Sequence, residues 1–182
     1  MRDISLHLLD LAQNSIKAGA TLVEMTVAID ETGIMTFALC DNGCGMDENM
    51  TNNVQNPFVT SRTERKVGLG IPLFAQNARL SGGDVQIMSQ PNIGTTLIAT
   101  FDSKQIDCLP TGDLAQTVYS LVVMNPEAPD FLIICKTPKG AMTFDTREIR
   151  NAVGGLALNE PEIAAWIHEA LNEELIPILE GY

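Results

Sequence analysis

Basic side chains are what this sequence is short of. Eleven lysines and arginines stand against 23 aspartates and glutamates in 182 residues, a formal net charge of −12. The deficit runs throughout, with 6 basic and 11 acidic side chains in residues 1–103 and 5 and 12 in residues 104–182. Such a chain repels nucleic acid and anionic lipid, so neither is expected as a partner. Histidine is scarcer still, at His7 and His168 only, and the four cysteines (Cys40, Cys44, Cys108, Cys135) form no C-x-x-C pair. That poverty argues against a zinc or iron–sulfur centre and for reduced, mostly buried thiols. No run of eighteen uncharged apolar residues occurs, which excludes a membrane-spanning helix. Asp3, His7 and Asp10 interrupt any apolar core of a secretory signal, so a cytoplasmic location is the default expectation.

What is present suits a folded domain. Hydrophobic residues make up 45% and charged residues 19%, enough to build a real core. Residues 1–17 read as a helix, with Ile4, Leu8, Leu11 and Ser15 on one stripe and Gly19 as the stop. Residues 22–29 alternate, placing Val23, Met25, Val27 and Ile29 on one face. After a turn at Asp30-Glu31-Thr32-Gly33, residues 34–40 complete a hairpin. A loop rich in Gly, Asn and Asp spans 41–56, helical character returns at 71–80, and 85–89 with 95–101 form another strand pair. This order predicts an α+β fold, a two-layer sandwich with helices on one face of an antiparallel or mixed sheet.

A composition change near 102–110 divides an N-terminal domain, 1–103, from an acidic α/β C-terminal extension, 104–182. In the extension, 112–124 reads as a helix, and 131–135 with 141–144 as a hairpin around Pro138-Lys139-Gly140. Asp145 with Glu148, and Asn159 with Glu162, resemble capping boxes of two further helices.

Three glycine-bearing segments lie at element ends. Asp41-Asn42-Gly43-Cys44-Gly45-Met46 follows a strand, where a carboxylate can accept from an exocyclic amine and glycines let the backbone approach a flat base. Val67-Gly68-Leu69-Gly70-Ile71-Pro72 opens a helix, whose free N–H groups and positive dipole end suit phosphates. Gly94-Thr95-Thr96 sits in a turn that could brace a pocket floor. An ordinary turn accounts for any one of them alone. On the first helix, Asp10 and Asn14 are one turn apart on a polar stripe with His7 and Lys17. There an amide oxygen can ligate Mg²⁺ and a carboxylate can polarise an attacking hydroxyl, although a solvated helix face would look the same.

Taken in order, these segments resemble the gyrase / heat-shock chaperone / histidine-kinase / MutL (GHKL) superfamily with its Bergerat ATP-binding fold. Asp10-Leu-Ala-Gln-Asn14-Ser15-Ile-Lys-Ala18-Gly19-Ala20-Thr21 is similar to the N-box, especially its MutL-type form. Asp41-Asn-Gly43-Cys-Gly45 resembles the first glycine box, and Pro57-Phe58-Val59-Thr60 a segment of histidine kinases. Gly68-Leu-Gly70 and Gly94-Thr95-Thr96 resemble the second and third boxes, with Ser81-Gly82-Gly83 between them. The resemblance covers about residues 4–101.

It implies ATP and Mg²⁺ as ligands. Asp41 would accept from the adenine amino group, with Gly43, Gly45 and Met46 beside the base and Thr95 or Thr96 near it. Asn14 would hold Mg²⁺, and Gly68, Leu69 and Gly70 would present backbone donors to phosphates. Asp10 stands where relatives carry a glutamate general base, one methylene longer. Arg62, Arg65 and Lys66 concentrate three of the eleven bases within five positions. In so acidic a chain, a phosphate must be attracted locally, which points Arg62 and Lys66 toward a γ-phosphate or a partner's phosphate.

Only nine residues precede Asp10, with no phosphoacceptor hairpin among them, so His7 and His168 are expected to be structural. The resemblance therefore implies a stand-alone kinase-like module acting on, or regulating, a separate protein partner or phosphoacceptor. A non-catalytic ATP sensor and a slow MutL-like ATPase are the alternatives, and a homodimer is left open.

Overall fold

The computed structural model describes residues 3–54 and 70–182. Helix α1 (Ile4–Lys17) starts on the side chain of Asp3, which accepts from the Leu6 amide at 2.9 Å. Strands β1 (Leu22–Ile29) and β2 (Ile34–Asp41) form the expected hairpin. Then come α2 (Glu48–Asn53), α3 (Gly70–Leu80) and the pair β3 (Val85–Gln90) and β4 (Gly94–Asp102). The C-terminal part supplies α4 (Leu114–Met124), β5 (Asp130–Thr137), β6 (Gly140–Asp145), α5 (Thr146–Ala152) and α6 (Pro161–Leu179).

The six strands of the described residues share one sheet in the order β3-β4-β2-β1-β5-β6. Four neighbour pairs are antiparallel, and β1 with β5 is parallel, so the α+β sheet is mixed. Residues 104–182 thus extend the sheet of residues 1–103 across the β1 edge and do not lie apart from it.

Period-two alternation decides which face is covered. Val23, Met25, Val27 and Ile29 of β1, Met35, Phe37 and Leu39 of β2, and Phe131, Ile133 and Cys135 of β5 are buried. They meet the apolar stripes of α1 (Ile4, Leu8, Leu11), α3 (Phe74, Ala75, Ala78), α4 (Val118, Leu121) and α6 (Ile167, Leu171) in one core. An aromatic chain ties these layers together: His7 on Phe74 at 5.2 Å, Phe74 on Phe101 at 5.3 Å, and Phe101 edge-on to Phe37 at 5.6 Å. Each fully buried phenylalanine contributes roughly 1.5–3 kcal/mol relative to exposure.

Two local expectations are corrected. The loop over 41–56 contains α2, capped by the Asp47 carboxylate accepting from the Met50 amide at 2.7 Å. Helix α6 begins one residue later than an Asn159 cap implies: its N-cap is Glu160, which makes no side-chain cap bond, and Pro161 follows. Proline presets the helical φ and has no N–H to cap, which removes much of the need for such a side chain. Among the described residues, no helix is long and apolar enough to cross a membrane.

Candidate functional site

A cavity of about 450 Å³ lies between α1, the end of β2, α2 and the start of α3, within the range of small-molecule sites. Its walls are largely apolar, from Leu11, Leu39, Met50, Ile71 and Leu97. Polar groups enter from two sides: Asp41 and Thr95 from the strand ends, Asn14 and Lys17 from α1. An apolar slot with few polar groups suits a flat heteroaromatic ring carrying a polar tail.

Asp41 is fixed by its neighbours. It is only 8% exposed, and its Oδ2 accepts from the Ser15 hydroxyl at 2.7 Å while Oδ1 accepts from the Gly43 amide at 2.9 Å. A carboxylate offers about four lone-pair sites, so two remain for a donor in the cavity. Ser15 belongs to the buried stripe of α1, and this explains a hydroxyl in an otherwise apolar row. Sequence alone puts Ser15 in that row and gives it no role. The signal is there, since a buried hydroxyl requires a partner.

The glycines let chain segments touch each other. A Cβ on Gly43 would come within 2.9 Å of the Ala18 Cβ, and the next amide, Cys44, donates to the Ala18 carbonyl at 2.9 Å. Gly45 has φ +62° and its Cβ would overlap the Gln90 carbonyl oxygen; Gly94 has φ +136° and its Cβ would overlap the Asp41 carbonyl. The first and third glycine segments are therefore packed against one another. Ser89, which sequence reasoning misses, joins them: its hydroxyl accepts from the Met46 amide at 2.8 Å and donates to the Gly94 carbonyl at 3.0 Å. Asn42 anchors the same loop, its amide oxygen accepting from the Thr21 and Leu22 amides at 2.8 and 3.0 Å.

The expected site residues divide accordingly. Asn14, Asp41, Gly45, Met46 and Thr95 line the cavity together; Gly43 lies behind it against α1. Thr95 stands opposite Asp41 in register, its hydroxyl 2.8 Å from that of Ser89. Thr96 points to the other face of the sheet, where its hydroxyl donates to the Cys40 sulfur at 3.3 Å. Asp10 is half-buried with its carboxylate against Gly70, so that a Cβ at Gly70 would overlap Asp10 Oδ2. A negative charge there complements the positive end of α3. Arg62, Arg65, Lys66, Gly68, Leu69 and the 57–60 segment lie outside the described residues.

His7 departs from its place on the polar stripe. It is 1% exposed between α1 and α3, with Nε2 2.9 Å from the Asn77 amide nitrogen and Nδ1 unpartnered among the described residues. Burial pushes its pKa down to about 4, outweighing the attraction of Asp10 and Asp3. His168 lies against Tyr119 with ring centroids 4.9 Å apart, between α6 and α4.

For a divalent cation, Asn14 presents a side-chain amide with no hydrogen bond among the described residues. No group of three or more His, Cys, Asp or Glu there is arranged to hold a metal. One protein ligand, completed by phosphate oxygens and water, matches how Mg²⁺ is usually held with nucleotides.

Comparison with known proteins gives the family and the fold. Residues 2–105 match the family described as histidine kinase-, DNA gyrase B-, and HSP90-like ATPase. The tetrathionate sensor histidine kinase TtrS of Salmonella typhimurium is 34% identical over 83 residues, 46% of this chain and 14% of that protein. The sensor-type histidine kinase PrrB of Mycobacterium tuberculosis is 34% identical over 47% of this chain and 20% of its own length. Sporulation kinase D of Bacillus subtilis is 30% identical over 51% of this chain and 18% of its own length. The chain thus spans a fifth or less of the length of these curated relatives. In fold it is similar to the crystallised N-terminal domain of a DNA repair protein, at TM-score 0.52 and 16% identity, covering 80% of this chain and 52% of that one. That coverage is more than residues 2–105 alone could supply, so the likeness of fold continues into the C-terminal part.

Proposed function

Since the chain belongs to the histidine kinase-, DNA gyrase B- and HSP90-like ATPase family, we propose that it binds Mg·ATP in the α1–β2 cavity and works as a kinase-like module on a separate protein. The observation that carries this reading is the fixed Asp41 carboxylate, braced by Ser15 and the Gly43 amide, facing the same cavity as the Asn14 amide. In this reading Asp41 accepts from the adenine amino group, and Leu39, Leu97 and Met50 enclose the ring. Thr95 and Gly45 line the base end. Asn14 holds Mg²⁺, whose contribution is to neutralise phosphate charge. Gly68, Leu69 and Gly70 offer backbone donors to the phosphates, with Arg62 and Lys66 as cations near the γ-phosphate. The γ-phosphoryl group passes in line to a partner's hydroxyl or imidazole, whose proton goes to Asp10; ADP leaves.

Asp10 also favours a second reading. Its carboxylate lies against the start of α3 and does not line the cavity, which suits a protein that binds ATP without transferring phosphate. Ligand at a hundred times Kd contributes about 2.7 kcal/mol to the bound state, enough for a switch without turnover.

Timed turnover of labelled ATP by the purified chain separates the two, with candidate partners recovered by pull-down on a non-hydrolysable analogue. Transfer or hydrolysis abolished in Asp10→Asn, with ATP affinity retained, supports the kinase-like module. Micromolar ATP binding with no turnover, even beside a recovered partner, supports the sensor. Asn14→Ala should lose the magnesium dependence of binding under either.

A further inference from the structure

The sheet has a second face that no described helix covers, and its composition is unusual for a solvated surface. Its central row crosses every strand: Gln86, Ile98, Ala38, Thr26, Ile134 and Thr143, in register. The row on one side holds Met88, Thr96, Cys40, Glu24, Leu132 and Asp145; the row on the other holds Thr100, Thr36, Ala28, Lys136 and Ala141. An antiparallel face in water normally alternates to polar and charged side chains. These three rows carry three charged residues, Glu24, Lys136 and Asp145, of which Glu24 and Lys136 are in no ion pair among the described residues. At the strand ends Asp130 is held by Arg150 at 2.7 Å and Asp145 by Arg147 at 2.6 Å, so little net charge reaches this face. Arg147 also acts electrostatically on Glu24, but its hydrogen bonds go to Asp145. Met88 is 56% exposed.

We propose that this face is where two copies of the chain pack sheet against sheet. Charge decides the occupant. A basic protein would be drawn to the acidic remainder of a chain carrying −12, whereas this face is close to neutral and self-complementary. Two such copies can meet here without burying unpaired like charges. A twofold axis along the central row reverses the strand direction between copies. Glu24 lies two residues to one side of Thr26, and Lys136 pairs in register with Ala28, two residues to the other. The axis therefore brings Glu24 of each copy over Lys136 of its mate, on adjacent strands and across the ~10 Å that separates packed sheets. Six strands of six to nine residues present a face of roughly 700–800 Å², the area each partner contributes to a standard stable interface.

The proposal is independent of nucleotide and is tested without it. Sedimentation of the full chain up to about 300 μM should show a species of twice the chain mass. Glu24→Lys and Lys136→Glu should each raise the dimer dissociation constant about tenfold or more, and the double reversal should restore it. Ile134→Lys, an outward substitution, should give a monomer whose circular-dichroism melt stays close to that of the parent. A chain that sediments as a monomer throughout overturns the proposal. So does a dimer indifferent to Ile134→Lys, or single reversals that weaken it without rescue by the double.

Discussion

Replacing Asp41 by asparagine alters one group in the cavity and reverses the sense of its hydrogen bonding. In the parent, Oδ1 accepts from the Gly43 amide at 2.9 Å and Oδ2 from the Ser15 hydroxyl at 2.7 Å. Asparagine can keep the first bond through its remaining oxygen. Its amide nitrogen then faces Ser15, whose hydroxyl can turn to accept from it and donate to the Leu11 carbonyl, which already lies 3.4 Å away. The fold should therefore lose about 1 kcal/mol at most. A nucleotide meets a different situation, because the adenine amino group now faces an N–H donor. Losing a hydrogen bond to a charged acceptor costs about 1.5–3 kcal/mol, so ATP and ADP should bind Asp41→Asn about 10- to 150-fold more weakly. Calorimetric titration with both nucleotides in excess magnesium measures this, with a thermal melt as the control for folding. An ATP Kd within twofold of the parent, in a protein that melts normally, would refute the placement of the base.

The glycines separate structural from functional roles. Gly45→Ala forces a Cβ at φ +62° onto the Gln90 carbonyl and should cost about 2 kcal/mol or more, seen as a melting temperature lower by about 4–8 °C. Gly70→Ala meets only the end of the Asp10 side chain, which can rotate, so stability should stay within about 1 kcal/mol. Turnover, if Asp10 is the base, should instead fall as far as in Asp10→Asn. His7 makes stability depend on pH: its pKa is about 4 when folded against an ordinary 6.5 for an unfolded chain, which therefore binds more protons between those values. Stability should be complete above about pH 6.5 and fall toward pH 4 by up to about 3 kcal/mol, and His7→Phe should flatten that slope in denaturant titrations against pH.

Where burial imposes a period, the sequence is readable. The alternation in β1 and β2 and the capping aspartate of α5 are found as expected, Asp145 accepting from the Arg147 amide at 2.9 Å. Helix α2 escapes notice because Glu-Asn-Met-Thr-Asn-Asn has no apolar stripe and no buried residue. The pairing of β5 beside β1 joins residues about a hundred positions apart, and a parallel neighbour leaves no local mark on either strand. Within the site, the Asp41 and Asn14 positions are legible as motif residues. The braces are not, because Ser15, Ser89 and Asn42 are ordinary residues until the fold brings their partners near. His7 misleads because a polar side chain at that spacing says nothing of the Phe74 and Asn77 that enclose it.

The most direct test is a crystal structure of the chain with magnesium and a non-hydrolysable ATP analogue. The purine should lie in the slot beside Leu39 and Leu97, its amino group within hydrogen-bond distance of Asp41, with the metal on the Asn14 amide. A nucleotide seated elsewhere, or a base turned away from Asp41, would contradict the assignment of this cavity.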